Sequence, residues 1–123
     1  MKQVIIMRRE FPDGNGGIKK LRRGKEIAQA CHASMAFLLK GGFKSDDLTE
    51  WLRGGQTKVC LQIHSEKELL ELHKKAKEMG LTSNIITDAG RTEFGGVPTK
   101  TCMAIGPNKS EDIDKITGHL KLY

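Results

Sequence analysis

The segment 24–42, GKEIAQACHASMAFLLKGG, predicts the first long helix, on which the rest of the fold depends. We expect this helix to run from Lys25 to Lys40, because two successive glycines are a common signal for a helix end. Apolar residues follow helical spacing and predict a buried stripe, which consists of Ile27, Cys31, Ser34 and Leu38, widened by Ala28, Met35 and Leu39. Lys25, Gln29 and His32 share a different face, since they lie four and three residues apart.

Further strands and helices are predicted on either side of this helix. The apolar run 4–7 predicts a buried strand before it. The predicted elements after it are a helix at 46–53, a strand at 58–63, a helix that begins with a Ser65–Glu68 capping box, strands at 84–87 and 101–105, and a helix at 111–116 capped by Ser110. Gly106-Pro107 is expected to end the last strand.

This order of elements predicts an α/β fold. We expect a four-stranded mixed sheet flanked by helices on both faces, which is a three-layer α/β/α arrangement. The last two strands are joined without a helix, and this favours an antiparallel pairing between them.

The length and composition predict one domain, residues 1–123, without a membrane span. A chain of 123 residues can build one modest core, and no apolar run approaches the ~20 residues that cross a bilayer. The first residues, MKQVIIMRRE, lack the apolar length and cleavage site of a secretory signal, so we expect a cytoplasmic protein, or one in an organelle if a targeting segment has been removed. Segment 11–19 contains Pro-Asp-Gly and Asn-Gly turn signals and predicts a mobile, basic inserted loop.

The excess positive charge is concentrated near the start of the chain. The net charge of +6 lies within residues 1–25, since basic and acidic residues balance in the remainder. Most of it directly precedes the first helix, at Lys19, Lys20, Arg22 and Arg23. Such a patch favours a polyanionic partner, because each basic side chain that neutralises a phosphate releases a counterion. A solubilising basic loop is the alternative.

The three cysteines do not indicate a disulfide or a metal site. Cys31, Cys60 and Cys102 are widely spaced, and each lies in an apolar stretch without a C-x-x-C motif. We therefore expect buried free thiols and no metal or organic cofactor.

Lys25 is the first candidate for chemistry. A phosphate-binding Walker A loop would need glycine where Lys19 stands and serine or threonine where Glu26 stands, so nucleotide hydrolysis is excluded. A G-x-G-x-x-G dinucleotide motif is also absent. A lysine at the positive end of a helix is electrostatically unfavourable unless an anion or a developing oxyanion lies nearby. The alternative is a solvated lysine that points away from the helix axis.

Asp88 is the second candidate, because it ends a short predicted strand. Functional residues gather at such strand ends in open α/β sheets. Gly90 allows a close backbone approach, and Arg91 and Thr92 add a cation and a hydroxyl. A capped turn is the alternative. The sequence contains no G-x-S-x-G motif, so a Ser-His-Asp triad is unsupported.

Several motifs occur in a defined order along the chain. They are GKxxAQxxHA at 24–33, GQxKV at 55–59, DAGRT at 88–92, IGP at 105–107 and IDKITGHLKL at 113–122. Together they closely resemble the archaeal/eukaryotic type of peptidyl-tRNA hydrolase, one of two unrelated families with that activity. The resemblance implies an α/β enzyme that hydrolyses the ester between a peptide and the 3′ end of tRNA. It also implies tRNA as partner, no cofactor, and often a homodimer.

The resemblance implies site residues at matching positions. Lys25 and Asp88 match the lysine and the acid of the family's active site. The other polar matches are Gln29, His32, Arg91, Thr92, Thr101 and His119. We hypothesise that Asp88 orients or activates a water and that Lys25 with Thr92 stabilises the oxyanion. Glu93 replaces an amide common in the family, and an acid there is expected either to repel the tRNA backbone or to alter the electrostatics of the site. The alternative function is a catalytically weak tRNA-binding or protein-interaction module on the same scaffold.

Overall fold

The computed structural model describes residues 1–91 and 93–123. Its helices are α1 (Arg23–Lys40), α2 (Ser45–Arg53), α3 (Glu66–Glu78) and α4 (Ser110–Thr117). Its strands are β1 (Lys2–Arg8), β2 (Phe11–Pro12), β3 (Ile18–Lys19), β4 (Lys58–Ile63), β5 (Ser83–Asp88), β6 (Thr99–Asn108) and β7 (Lys121–Leu122). Within the described part of the chain, no helix is long and apolar enough to cross a membrane.

The main sheet has five strands in the order β5-β6-β1-β4-β7. β1 pairs parallel with β4, whereas β6 pairs antiparallel with both β1 and β5, so the sheet is mixed. The predicted α/β class and the antiparallel pairing of β5 with β6 are confirmed, but the predicted number of four strands is wrong. The fifth strand, β7, is two residues long and pairs with Leu61 and Gln62 of β4. A strand of that length has no periodicity to predict it from.

Segment 11–19, expected to be a mobile inserted loop, forms a hairpin. Its strands β2 and β3 pair antiparallel in a separate small sheet. The Asp13 carboxylate accepts hydrogen bonds from the backbone N–H groups of Asn15 and Gly17, at 2.7 and 2.9 Å. These bonds lower the pKa of Asp13 because they favour its ionised form. The mobility of this segment stays a prediction.

Two core clusters contact alternate residues of β1. Val4 and Ile6 belong to the larger cluster, to which α3 and α4 contribute. Ile5 and Met7 belong to a smaller cluster, to which α1 contributes Ala33. Neighbouring side chains of a strand point to opposite faces of a sheet, so the two clusters use different faces of β1.

The buried face of α1 differs from the predicted stripe, and that prediction was wrong. Ala33, Ala36 and Phe37 are buried, and the two small alanines let the helix approach the sheet closely. Most of the predicted stripe is exposed, at 59% for Ile27, 56% for Met35, 52% for Leu38 and 83% for Leu39. α1 is apolar on two faces, and helical spacing alone does not say which one contacts the sheet.

β6 continues through Gly106-Pro107, where the sequence predicts its end. A β-bulge in the pairing with β1 accommodates these residues between the pairs Val4–Ile105 and Lys2–Asn108. Gly106 has a φ of +106°, and a Cβ added to it would lie 2.6 Å from the carbonyl oxygen of Lys2. The turn signal therefore marks a bulge within the strand.

The predicted helix starts are right for α3 and wrong for α4. The Ser65 hydroxyl accepts a hydrogen bond from the Glu68 N–H at 3.3 Å, and the Glu68 carboxylate accepts one from the Ser65 N–H at 3.2 Å. This is the predicted capping box. In α4, however, Ser110 is the first helical residue, and Lys109 occupies the N-cap without a side-chain hydrogen bond.

The thiols differ in burial. All three cysteines are free, as expected, but Cys31 and Cys60 are exposed, so the prediction of buried thiols holds for Cys102 alone. Burial raises the pKa of Cys102 to about 12, which keeps this thiol protonated. Cys31 is exposed because α1 turns the predicted stripe away from the sheet.

We expect Gly106→Ala to lower the free energy of unfolding by about 2–4 kcal/mol, because it combines an unfavourable φ with a clash against the β1 backbone. Gly24→Ala is the matched control. Gly24 lies in α1 with open space around it, and alanine favours a helix, so stability should stay the same or rise by up to about 1 kcal/mol. Urea unfolding followed by circular dichroism measures both. Equal effects of the two substitutions would contradict this account of the bulge.

Candidate active site

An ion pair joins the start of α1 to the end of β5. The Lys25 Nζ lies 2.9 Å from the Asp88 Oδ1, and the side chains of the pair are only 18% and 12% exposed. Lys25 lies in the first turn of α1, where the helix dipole is positive. Asp88 places a carboxylate opposite this cation, which offsets the unfavourable position of the lysine. The two candidates that the sequence singled out therefore lie in direct contact.

The Asp88 carboxylate is held at both oxygens. Its Oδ2 accepts a hydrogen bond from the Gly90 N–H at 2.9 Å, while its Oδ1 faces Lys25. The hydrogen bond from Lys25 is the main reason why the pKa of Asp88 lies below its ordinary value, and the Gly90 N–H adds to this effect. Asp88 is therefore ionised at neutral pH, which suits it to binding and orienting more than to accepting a proton.

Gln29 connects Asp88 to the interior of the sheet. It is buried on α1, and its Nε2 donates toward the Asp88 Oδ1 at 3.5 Å. Its Oε1 accepts a hydrogen bond from the hydroxyl of Thr101, which is fully buried on β6. This bond orients the amide so that its N–H₂ end faces the carboxylate.

A β-bulge in β6 places Thr101 in this position. In the pairing with β5, Ile86 lies opposite Cys102 and Thr87 lies opposite Lys100, so Thr101 is an extra residue. An extra residue in a strand changes the direction in which its side chain points. The Thr101 hydroxyl thereby points to Gln29 on the α1 side of the sheet.

The loop after Asp88 depends on a glycine at position 90. Gly90 has a φ of +80°, and a Cβ added to it would lie 2.1 Å from the Val97 carbonyl oxygen. The Gly90 carbonyl accepts hydrogen bonds from the N–H groups of both Phe94 and Gly96. The backbone of this loop therefore packs too closely for any other residue at position 90.

Glu93 connects the loop after Asp88 to the basic segment before α1. Its carboxylate lies 2.6 Å from the Arg22 guanidinium, and its carbonyl accepts a hydrogen bond from Lys19. The Lys19 ammonium also lies 4.8 Å from the centre of the Phe94 ring. Lys19 and Arg22 thus have partners within the protein, and Glu93 is an anchor whose charge is balanced. Lys20 and Arg23 are exposed.

His32, Arg91, Thr92 and His119 have different placements. His32 is exposed and lines an open cavity of about 410 Å³ together with Gln29 and Asp88. Arg91 is exposed on the loop after Asp88, and Thr92 lies outside the described residues. His119 lies apart from this group, in a depression next to Glu68 and Lys75 of α3. The structure thus brings Lys25, Gln29, His32, Asp88 and Thr101 together and does not bring His119 to them.

A cluster around Glu26 was missed by the sequence analysis. The Glu26 carboxylate is buried in the first turn of α1, 3.4 Å from the Nε of Arg9, and accepts a hydrogen bond from the Tyr123 hydroxyl. The Arg9 guanidinium lies 4.0 Å above the centre of the Tyr123 ring. These contacts fix the helical turn that contains Lys25. An acid beside Lys25 is visible in the sequence, but its partners are distant along the chain.

Nothing in the described geometry indicates a metal site. Among residues 1–91 and 93–123, no group of three or more His, Cys, Asp or Glu side chains could hold a metal ion. The chemistry that the site offers is that of a cation beside an ionised carboxylate, with an amide and a histidine next to them.

Comparison with known proteins identifies the family. A model of the family described as "Peptidyl-tRNA hydrolase PTH2" matches residues 1–123. A peptidyl-tRNA hydrolase of Methanopyrus kandleri is 46% identical over 121 residues, which covers 98% of this chain and 97% of the relative. Those of Methanocaldococcus jannaschii and Haloquadratum walsbyi are 44% and 38% identical, with 99% and 100% of both chains covered. The protein described above, with its Lys25–Asp88 pair, belongs to the PTH2 family of peptidyl-tRNA hydrolases.

Proposed function

We propose that this protein hydrolyses the ester between a peptide and the 3′ end of tRNA, and so releases free peptide and reusable tRNA. The observation that carries the proposal is the largely buried Lys25–Asp88 pair at the edge of an open cavity. Family membership over the whole chain supports the same activity. We expect it to act in the cytoplasm, because peptidyl-tRNA arises there during translation.

The proposed reaction is attack of water on the ester carbonyl. The water oxygen bonds to the carbonyl carbon, the bond from that carbon to the ribose oxygen breaks, and a proton from the water ends on the ribose oxygen, which leaves as a hydroxyl of the tRNA. Asp88 orients the water, because its Oδ2 accepts one bond from Gly90 and retains an acceptor site for another. Lys25 stabilises the negative charge that develops on the carbonyl oxygen. Thr92 is proposed to assist Lys25 on the strength of the resemblance alone. The lowered pKa of Asp88 means that this carboxylate stays ionised when the pH falls moderately below neutral.

Gln29 and Thr101 act as positioning residues in this proposal. The Thr101 hydroxyl holds the Gln29 amide, and the amide in turn faces the Asp88 carboxylate. A group held in one orientation before the reaction needs no reorganisation during it. His32 and Arg91, both exposed near the cavity, are proposed to contact the substrate.

A catalytically weak tRNA-binding module on the same scaffold is the second candidate function. The basic segment before α1 favours it, since binding a polyanion requires only exposed cations. A largely buried ion pair, however, costs desolvation free energy, and binding of a polyanion does not require such a pair. The Lys25–Asp88 pair therefore favours the enzyme.

We expect Lys25→Met and Asp88→Asn each to lower kcat/KM for peptidyl-tRNA by about 10²–10³, with most of the loss in kcat, because both groups act on the transition state. Release of labelled peptide from purified peptidyl-tRNA measures this. The matched controls are Lys67→Met and Asp46→Asn, which change exposed residues of α3 and α2. Activity that survives in both site variants, or an inactive wild-type protein, would contradict the proposal.

The tRNA is proposed to bind at the basic residues Lys19, Lys20, Arg22 and Arg23. We expect Lys20→Ala with Arg23→Ala to weaken binding of all tRNAs and to reduce the slope of log K against log salt concentration by about 1–2, since these two side chains are exposed. Filter binding across a salt series measures the slope. Lys74→Ala with Lys77→Ala on α3 is the control. An unchanged slope for Lys20→Ala with Arg23→Ala would show that these two side chains are solvated and do not contact tRNA phosphates.

We further propose that the protein forms a homodimer through the outward face of α1. Ile27, Cys31, Met35 and Leu38 are exposed and follow one another at helical spacing. A continuous apolar stripe on a surface is typical of an interaction site, and a twofold dimer buries the same stripe of both copies. This accounts for the second apolar face of α1.

Sedimentation equilibrium tests the dimer. We expect twice the chain mass of 13.7 kDa for the wild type and a shift to the monomer for Met35→Glu, because a buried charge opposes association. Leu52→Glu, at a residue of α2 with similar exposure, should remain dimeric. A wild-type monomer at micromolar concentration would contradict the proposal.

The three-layer α/β/α arrangement is likewise proposed. Alternate residues of β1 contact α1 on one side and α3 and α4 on the other, and this supports it.

A further inference from the structure

A groove extends from Asp88 along α1 and the edge of the sheet. α1 contributes His32, Ala36, Leu39 and Lys40 to one wall, and the other wall is the consecutive segment 85–89. Its volume is about 410 Å³. The α1 wall, from Gln29 to Lys40, is about 16 Å long, which matches about five residues of extended peptide.

The wall formed by segment 85–89 is the edge of β5 from Ile85 to Asp88, with Ala89 directly after it. Successive side chains of a strand point to opposite faces of a sheet, so five successive residues can line one groove only along the strand edge. β5 is the outermost strand of the main sheet, and among the described residues it pairs with β6 alone. An outermost strand presents backbone N–H and C=O groups to which another extended chain can bind.

The groove and the basic segment lie on opposite sides of the ion pair. The helix α1 runs from Lys25, beside Asp88, toward Lys40 at the far end of the groove. The residues Lys19 to Arg23 precede Lys25 and meet the loop at Glu93, on the other side of Asp88. A substrate whose ester lies at the ion pair therefore has the basic segment on one side and, on the other, a groove whose α1 wall includes the apolar side chains of Ala36 and Leu39.

We propose that this groove binds the peptidyl part of the substrate as an extended chain along the edge of β5. The inference rests on the proposed function and adds to it the direction of the substrate across the site. Backbone pairing with β5 uses main-chain groups that every peptide carries, so this binding does not depend on the sequence of the peptide. Alternate peptide side chains contact Ala36 and Leu39, and Leu39 is 83% exposed.

The experiment compares substrates of increasing peptide length on one tRNA, from N-acetyl-aminoacyl-tRNA to pentapeptidyl-tRNA. We expect kcat/KM to rise about tenfold over this series and to level off near five residues. The variant Leu39→Glu should reduce that rise severalfold, and Leu70→Glu, an exposed leucine of α3, should leave it unchanged. A kcat/KM that is independent of length would overturn the proposal.

A binding measurement separates this inference from the proposed activity. Amide-linked peptidyl-tRNA analogues cannot be hydrolysed as esters, so their Kd reports binding alone. A Kd that falls as the peptide becomes longer supports the groove, whether or not the protein hydrolyses the ester substrate. If the protein binds in this way but hydrolyses no ester, the proposed activity is contradicted and the groove is not. If Leu39→Glu instead weakens binding of a CCA trinucleotide and leaves the length dependence intact, the groove binds the tRNA end, and the proposal is wrong.

Discussion

The ion pair between Lys25 and Asp88 is the constraint around which the local structure is arranged. Two charges removed from water destabilise a fold unless each has close partners. Asp88 receives hydrogen bonds from Lys25 and from the Gly90 backbone, and the Gln29 amide faces it. The turn of α1 that contains Lys25 is fixed independently, through the contacts of Glu26 with Arg9 and Tyr123. The pair therefore joins two elements that are each held in place by other contacts.

Two irregularities of the backbone, at Thr101 and at Gly90, position groups of the candidate site. The bulge at Thr101 turns a hydroxyl toward Gln29, and Gly90 adopts a φ of +80° so that its N–H can reach Asp88. A regular strand would point Thr101 and Cys102 to opposite faces of the sheet. The bulge at Gly106 has a structural role instead, since it lets β6 continue beside β1. Of the two bulges in β6, the one at Thr101 therefore orients a group of the site, and the one at Gly106 maintains the pairing of strands.

Charge is distributed unevenly around the ion pair. The basic residues lie on the side where α1 begins, and two of them, Lys19 and Arg22, hold the loop after Asp88 through Glu93. This pairing makes Glu93 an anchor, and the expected repulsion between Glu93 and the tRNA backbone stays a prediction. The groove beyond Asp88 is lined by Ala36 and Leu39 of α1 together with His32 and Lys40, and by the edge of β5. A substrate that is a polyanion at one end and a peptide at the other fits this division.

The sequence by itself determined the order of the four helices and the four longer strands, the α/β class, the family and the candidate residues Lys25 and Asp88, because these depend on local periodicity and on ordered motifs. It could not decide which apolar face of α1 contacts the sheet, since helical spacing describes both faces equally. Nor could it reveal β7, the partners of Glu26 or the extra residue at Thr101. Those features depend on contacts between segments far apart in the chain. Only the tertiary structure brings such segments together, and it alone decides how the chemical groups face one another.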